Sequence, residues 1–200
     1  MIIFLFSLLC SAWAVPATKI TGKFQISGFS FGGRVPGEIY IGENGEFHFR
    51  LLRPSGLSIF AMTTTRDEAC FLFDLDSVQY TGTHQEFLSL SNGYLDASDL
   101  HLIFIPTLDQ KTNWTWTWNN NNRKLRRISI PMNENTTLLE IQYNQWRKEK
   151  PNRLSIHLLE NDWKLKANLQ KRQTVDWNFS CTPPEGTNPL PLEEMKLSRG

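Results

Sequence analysis

The amino-acid sequence predicts a mainly β fold of the α+β class, either a sandwich or a barrel, interrupted by one pair of short helices. Apolar and polar residues alternate in many short segments, and this period of two is typical of strands with one buried face. The segments follow each other at intervals of about eight to twelve residues, with turn-forming residues between them. Helical spacing replaces the alternation only between residues 84 and 105.

The first half of the chain contains six predicted strands. The segment 46–62 gives two of them, joined by a turn at 53–56. Alternation places Phe47 and Phe49 on one face and His48 on the other. The other four strands cover residues 20–29, 38–41, 69–73 and 77–80.

Two short helices are predicted in the middle of the chain. The first covers residues 84–92 and ends at Gly93, which suits a left-handed cap. Asp96 is predicted as the N-cap of the second, and Pro106 ends it. Their apolar side chains are Phe87, Leu88, Leu90, Leu100, Ile103 and Phe104.

Strands resume after the helices. Residues 112–118 alternate regularly and place Trp114, Trp116 and Trp118 on one face, where they line a cavity or an interface. Further strands are predicted over residues 125–130, 138–146, 154–159, 163–169 and 175–180. We expect one domain over residues 18–182 and an irregular, proline-rich tail over residues 183–200.

Residues 1–14 have the pattern of a cleaved secretory signal peptide. They form an apolar run that ends in Ser11-Ala-Trp-Ala14, with small residues before the expected cut. The run is shorter than the roughly 20 apolar residues that cross a bilayer. Leu9 precedes Cys10, whereas a small residue precedes a lipidated cysteine, so we expect cleavage beyond Cys10.

Composition narrows the classes of function. The net charge of +1 predicts no strong attraction to nucleic acid or anionic lipid. The basic runs 123–127 and 164–172 are interpreted as solvated outer faces. No residue spacing fits a metal site, and no cofactor is predicted.

Cys70 and Cys181 are the two cysteines that remain after processing. In an oxidising compartment such a pair favours a disulfide, and closing so long a loop adds roughly 4 kcal/mol of stability. The sequence does not show whether the two strands lie side by side, so the bonded and free states both remain open.

The order of these elements resembles the bacterial lipoprotein-localisation factors. The likeness extends over about residues 20–169 and is carried by three segments: Phe49-Arg-Leu-Leu-Arg-Pro-Ser-Gly56, Phe71 to Tyr80, and Leu95-Asp-Ala-Ser-Asp-Leu-His-Leu-Ile-Phe-Ile-Pro106. Within this family the chain is more similar to the outer-membrane receptors of the LolB type. The periplasmic carriers of the LolA type are structural cousins.

The resemblance implies an open antiparallel β-barrel of about 10–11 strands with a short helical lid. An apolar cavity between barrel and lid would take the acyl chains of lipoproteins, or of a related lipid, without any catalytic step. The implied cavity residues are Phe24, Ile26, Phe47, Phe49, Ile59, Phe71, Phe73, Phe87, Leu88, Leu100, Ile103, Phe104 and Trp116.

The resemblance also implies a location and partners. We expect a periplasmic protein that binds lipidated proteins or lipid, exchanges them with a carrier or receptor of the same family, and contacts the outer membrane. The receptors carry an exposed leucine in one turn. The matching membrane-facing turn here is Pro54-Ser-Gly-Leu57, where Ser55 replaces that leucine and Leu57 follows two residues later.

Two other functions are compatible with single motifs. Gly28-Phe-Ser-Phe-Gly32 fits the G-x-S-x-G pattern of a secreted serine hydrolase with Ser30 as nucleophile. That pattern needs a helix directly after the serine, whereas another strand is predicted here, so a glycine-rich turn is favoured. The tryptophan row would serve a carbohydrate-binding β-sandwich.

Overall fold

The computed structural model describes residues 14–27, 33–90, 95–106, 114–119, 124–131, 137–159 and 163–197. The strands in these ranges are β1 (Val15–Ser27), β2 (Arg34–Gly42), β3 (Phe47–Leu52), β4 (Ser58–Thr64), β5 (Glu68–Phe73), β6 (Val78–Thr83), β7 (Thr115–Asn119), β8 (Lys124–Pro131), β9 (Thr137–Arg147), β10 (Lys150–Leu158), β11 (Trp163–Trp177) and β12 (Asn188–Pro191). The helices are α1 (His84–Leu90), a 3-10 helix (Ala97–Ile103) and α2 (Glu194–Leu197). No helix in the described ranges is long and apolar enough to cross a membrane.

The twelve strands form a single sheet in the order β12-β6-β5-β4-β3-β2-β1-β11-β10-β9-β8-β7. Neighbours are antiparallel except β12 and β6, which run parallel. The predicted fold class, an open and mainly β architecture with short helices, is confirmed. The prediction of an irregular tail was wrong, because β12 and α2 lie within residues 183–200.

Strand β11 replaces two predicted strands, 163–169 and 175–180. The residues between those segments include no glycine or proline to end a strand, and the chain continues through them. The pairing of β11 with β1 shifts register between Thr21 and Gly22. This shift is a β-bulge, and β11 continues through it as one strand.

Cross-strand pairing defines an inner and an outer face of the sheet. Phe49 lies opposite Met62 and Leu51 opposite Phe60, and these four side chains share the inner face. The residues between them, such as His48, face outward because side chains alternate along a strand.

The hydrophobic core lies on the inner face. Ile20, Phe24 and Ile39 are completely buried, and the ring of Phe24 lies 5.2 Å from that of Phe49. A Cβ atom on Gly37 would lie only 2.6 Å from the Phe24 ring. Glycine at this position therefore allows the ring to lie directly on the backbone of β2.

The outer face carries a cluster of charged residues around Glu38. Lys19 Nζ lies 2.7 Å from Glu38 Oε1, and Arg50 Nη2 lies 2.5 Å from Glu38 Oε2. The Tyr40 hydroxyl donates a hydrogen bond to the same carboxylate at 2.8 Å. Trp177 stacks on the Tyr40 ring at 3.7 Å and covers one side of the cluster.

Residues 177–192, which we call the C-terminal strap, run from β11 to the far edge of the sheet across its outer face. Cys181 of the strap forms a disulfide with Cys70 of β5, with their Cα atoms 5.7 Å apart. Gln79 of β6 donates a hydrogen bond to the Cys181 carbonyl oxygen at 2.6 Å. The strap ends as β12, which pairs with β6.

Two titratable groups on the outer face are expected to lower the stability of the folded protein in two steps as the pH falls. Burial and the charge of Arg50 lower the pKa of His48 from 6.5 to about 4. Burial alone would raise the pKa of Glu38, but hydrogen bonds from Lys19, Arg50 and Tyr40 outweigh it and hold that pKa at about 2, below the usual 4.5.

Both groups bind protons more readily in the unfolded chain, so stability falls as the pH falls. The His48 contribution is lost between about pH 6.5 and 4, and that of Glu38 between about pH 4.5 and 2. Urea midpoints measured from pH 8 to 3 check this. His48→Gln should flatten only the step above pH 4.5, and an unchanged profile in this variant would contradict the assignment.

Candidate ligand-binding face

Residues 95–105, which we call the cover segment, close part of the inner face. Asp96 is the N-cap of its 3-10 helix and accepts a hydrogen bond from the Ser98 backbone N–H at 2.9 Å, as predicted. Leu100, Ile103 and Phe104 are buried. The Phe104 ring stacks on Phe47 of β3 at 5.8 Å, so the segment is packed against the sheet.

Two polar side chains hold the end of the cover segment. The Tyr143 hydroxyl donates a hydrogen bond to the Ile103 carbonyl oxygen at 2.9 Å, and its burial raises the pKa of this phenol far above the usual value. Arg172 Nη2 donates to the Phe104 carbonyl oxygen at 3.3 Å and to the Pro151 carbonyl oxygen at 3.0 Å. Carbonyl groups that a helix end leaves without partners are thereby satisfied.

Helix α1 adds a second apolar contact to the inner face. Thr83 and Glu86 form a capping box, in which each side chain accepts a hydrogen bond from the other residue's backbone N–H, at 2.6 and 3.2 Å. This fixes the start of the helix and places Phe87 over Phe71, with ring centroids 5.8 Å apart.

The inner face continues beyond the contacts of the cover segment as a half-buried apolar surface, which we call the open-end patch. It lies near the turns that join β3 to β4 and β5 to β6, whereas Phe104 packs at the opposite end of β3. Its rings follow one another across the strands, with Phe60 and Phe73 5.3 Å apart and Phe73 and Tyr80 6.0 Å apart. The patch consists of Ile26, Val35, Phe60, Phe73, Tyr80, Ile156, Leu158 and Leu165.

The structure buries eight of the thirteen predicted cavity residues within the core: Phe24, Phe47, Phe49, Phe71, Phe87, Leu100, Ile103 and Phe104. Ile26, Phe73, Leu88 and Trp116 are half-buried. Within the described chain, the eight buried side chains form one core cluster, and Ile26, Phe73 and Trp116 pack against it.

Ile59, a predicted cavity residue, is not among the side chains that pack on the core. Its neighbour Phe60 pairs with Leu51 and Phe73 and occupies the inward position. The pairing of β3 with β4 shifts between Leu51 and Leu52, so the alternation of side chains along β3 does not continue across the turn into β4. Residues that the sequence reasoning missed are Phe60, Tyr80, Ile156 and Leu165, and correct pairing of the strands would have identified them.

The predicted membrane-facing turn, residues 54–57, is exposed, and Leu57 exposes 64% of its surface. Two further exposed leucines lie at the same end of the sheet. Leu75 lies in the turn between β5 and β6 and Leu159 directly after β10, with exposed fractions of 44% and 40%. This end also carries the open-end patch.

The tryptophan row lies on and beside the edge strand β7. Trp114, Trp116 and Trp118 stack at 6.0 and 6.5 Å, and Trp116 pairs with the buried inner-face residue Ile128. The row is therefore continuous with the core. The indole N–H of Trp116 is buried and has no hydrogen-bond partner in the described chain.

The inward orientation of Arg172 contradicts the interpretation of the basic run 164–172 as an outer face. Arg172 pairs with Ile20, a fully buried residue of the inner face, and is itself half-buried. The bulge between Thr21 and Gly22 changes the alternation of β11 and turns this side chain inward.

Ser30 of the hydrolase alternative lies outside the described residues. The segment that follows its motif is strand β2, which pairs with β1 as a hairpin, whereas a nucleophile elbow continues into a helix. Among the described residues, no three His, Cys, Asp or Glu side chains are grouped to hold a metal ion.

The sequence matches no protein-family model and no curated protein. The structure is similar to that of a LolA superfamily protein from Nitrosomonas europaea, with a TM-score of 0.52 and 9% identity over 80% of this chain and 87% of the other. It is equally similar to a structure described as an outer membrane lipoprotein-sorting protein domain from Vibrio parahaemolyticus, with a TM-score of 0.52 and 7% identity over 84% and 87% of the two chains. The resemblance inferred from the sequence is confirmed at the level of the fold.

Proposed function

We propose that this protein binds the acyl chains of lipoproteins, or of a related lipid, on its inner face. In this role it carries or receives them in transport to the outer membrane. The observation that carries the proposal is the open-end patch, an apolar surface that continues the core beyond the contacts of the cover segment. The similarity of the fold to lipoprotein-sorting proteins supports the same ligand class.

Binding of this kind needs no catalytic group. Each methylene that leaves water contributes about 0.8 kcal/mol, so a row of apolar side chains provides affinity in proportion to the length of chain it covers. The patch rings, from Phe60 to Tyr80, form such a row across three neighbouring strands. Ile26 and Leu165, which pair with each other, extend the apolar surface on the other side of β2 and β3.

The cover segment limits how far an acyl chain reaches. Phe104 and Ile103 occupy the part of the inner face around Phe47, so a chain that extends beyond the patch must displace them. The hydrogen bonds from Tyr143 and Arg172 to the segment would have to break at the same time.

A periplasmic location and transfer between family members belong to the same proposal. The signal-peptide pattern and the Cys70–Cys181 disulfide suit an oxidising compartment. The preference for a receptor of the LolB type over a carrier of the LolA type stays a prediction, as does the removal of Cys10. The three leucines at the open end would contact the lipid surface during delivery.

A pair of neighbouring substitutions tests the binding face. Phe60→Asp should lower the affinity for a fluorescent fatty acid at least tenfold, because a carboxylate on the patch must lose water when the chain binds. Ile59→Asp places the same charge on the neighbouring residue, whose side chain is not among those packed on the core, and should leave the affinity within twofold of the wild type. A fluorescence titration measures both.

Equal affinities of the two variants would contradict the assignment of the inner face. Native mass spectrometry of protein purified from the periplasm gives an independent measurement, since it detects acylated peptide or lipid that remains bound. Protein that is consistently free of lipid and takes up no fatty acid would refute the proposal.

A further inference from the structure

A hollow with a basic lining lies at the end of the sheet opposite the open-end patch. The β9–β10 hairpin and the adjacent part of β11 border a half-open hollow of about 530 Å³, within the range of roughly 300–1,000 Å³ that is usual for small-molecule sites. Four of its lining residues are basic and none is acidic. The lining consists of Arg147, Lys148, Lys150, Pro151, Asn152, Asn168, Leu169, Gln170 and Arg172.

Arg172 distinguishes this hollow from an ordinary basic surface. Burial lowers the pKa of its guanidinium but leaves the group a cation, since arginine retains its proton in proteins. Its hydrogen bonds to the carbonyl oxygens of Phe104 and Pro151 both come from Nη2. Among the described residues, no carboxylate forms an ion pair with Arg172, so no described acidic group neutralises the half-buried positive charge that lines the hollow.

Neutral donors complete the lining. Asn168 and Gln170 contribute side-chain amides, and Asn152 contributes a third whose terminal oxygen is buried with no partner among the described residues. Side-chain amides beside a guanidinium and flexible ammonium groups are the donor set that suits a tetrahedral oxyanion.

We propose that this hollow binds a phosphate group, held by Arg172 and by the lysines of the hairpin. The phosphate is either a free anion or the headgroup of an anionic lipid, and the donor set is the same for both. This site lies at the other end of the sheet from the open-end patch, and Arg172 is the residue that it shares with the contacts of the cover segment. Phe60→Asp, which impairs the proposed acyl-binding face, should therefore leave phosphate binding unchanged.

Titration calorimetry with inorganic phosphate tests the site. We expect Arg172→Gln to weaken binding at least tenfold and the double substitution Lys148→Gln and Lys150→Gln to weaken it at least threefold. The lysine pair is exposed, so its replacement leaves the fold intact even if Arg172→Gln loosens the cover segment. Lys166→Gln is the matched control, because it removes an exposed positive charge from β11 away from the hollow.

Vesicles distinguish the two sources of phosphate. Binding to phosphatidylglycerol but not phosphatidylcholine vesicles, competed by inorganic phosphate and weakened by Arg172→Gln, assigns a lipid headgroup. Phosphate binding without vesicle binding assigns a free anion, and both results support the site. Absence of phosphate binding, or equal loss in the Lys166→Gln control, would overturn it.

Discussion

Replacing Cys70 and Cys181 together with alanine is expected to lower the free energy of unfolding by about 4 kcal/mol. The disulfide joins residues 111 positions apart, and a crosslink over such a distance removes much of the conformational freedom of the unfolded chain. Both side chains are buried, so the bond also fixes the C-terminal strap on the outer face. Urea unfolding followed by Trp fluorescence measures the difference.

Reduction of the wild-type protein provides the control for this variant. It breaks the same bond without removing any other atom, so its unfolding midpoint should fall to near that of the double variant. Unfolding midpoints that are the same with and without reductant would show that the strap is held by its other contacts alone, such as the stacking of Trp177 on Tyr40.

Phe104→Ala is expected to weaken the docking of the cover segment on the sheet by about 3–5 kcal/mol of free energy. This is the usual cost of removing a buried phenylalanine ring. Phe104 exposes only 3% of its surface, and its ring stacks on Phe47. Faster hydrogen exchange should therefore appear at the amides of Phe104 and Ile105, which bond to the His101 carbonyl oxygen.

Ile105→Ala is the matched control for the cover segment. Its side chain is half-buried in the same turn of chain, so a smaller loss is expected. If both variants exchange like the wild type, the segment is held by Tyr143 and Arg172 and not by apolar packing. If Phe104→Ala instead lowers global stability by the full amount, the cover segment opens only when the whole domain unfolds.

The alternation of side chains predicted much of the inner face. Phe47 and Phe49 are buried where the period of two places them, and Trp116 shares a face with Ile128. Asp96 was recognisable because an N-cap is a local feature of the sequence. These predictions hold because each depends on residues close together in the chain.

Features that depend on distant pairing were not predictable from the pattern. Ile59 and Phe60 are both apolar, and only the register of β4 against β3 shows which of them faces inward. The inward orientation of Arg172 follows from a bulge against β1, about 150 residues earlier in the chain. Strand β12 exists because the strap carries four residues to the edge of β6, which no local signal indicates.

The C-terminal strap has a consequence for the order in which the molecule matures. Strand β6 would otherwise present a row of unpaired backbone groups, and such an edge recruits strands from other chains. The residues that pair with it lie near the C-terminal end of the sequence and are anchored by the only crosslink among the described residues. A newly made chain therefore remains prone to self-association until residues 188–191 have paired with β6 and the thiols of Cys70 and Cys181 have been oxidised.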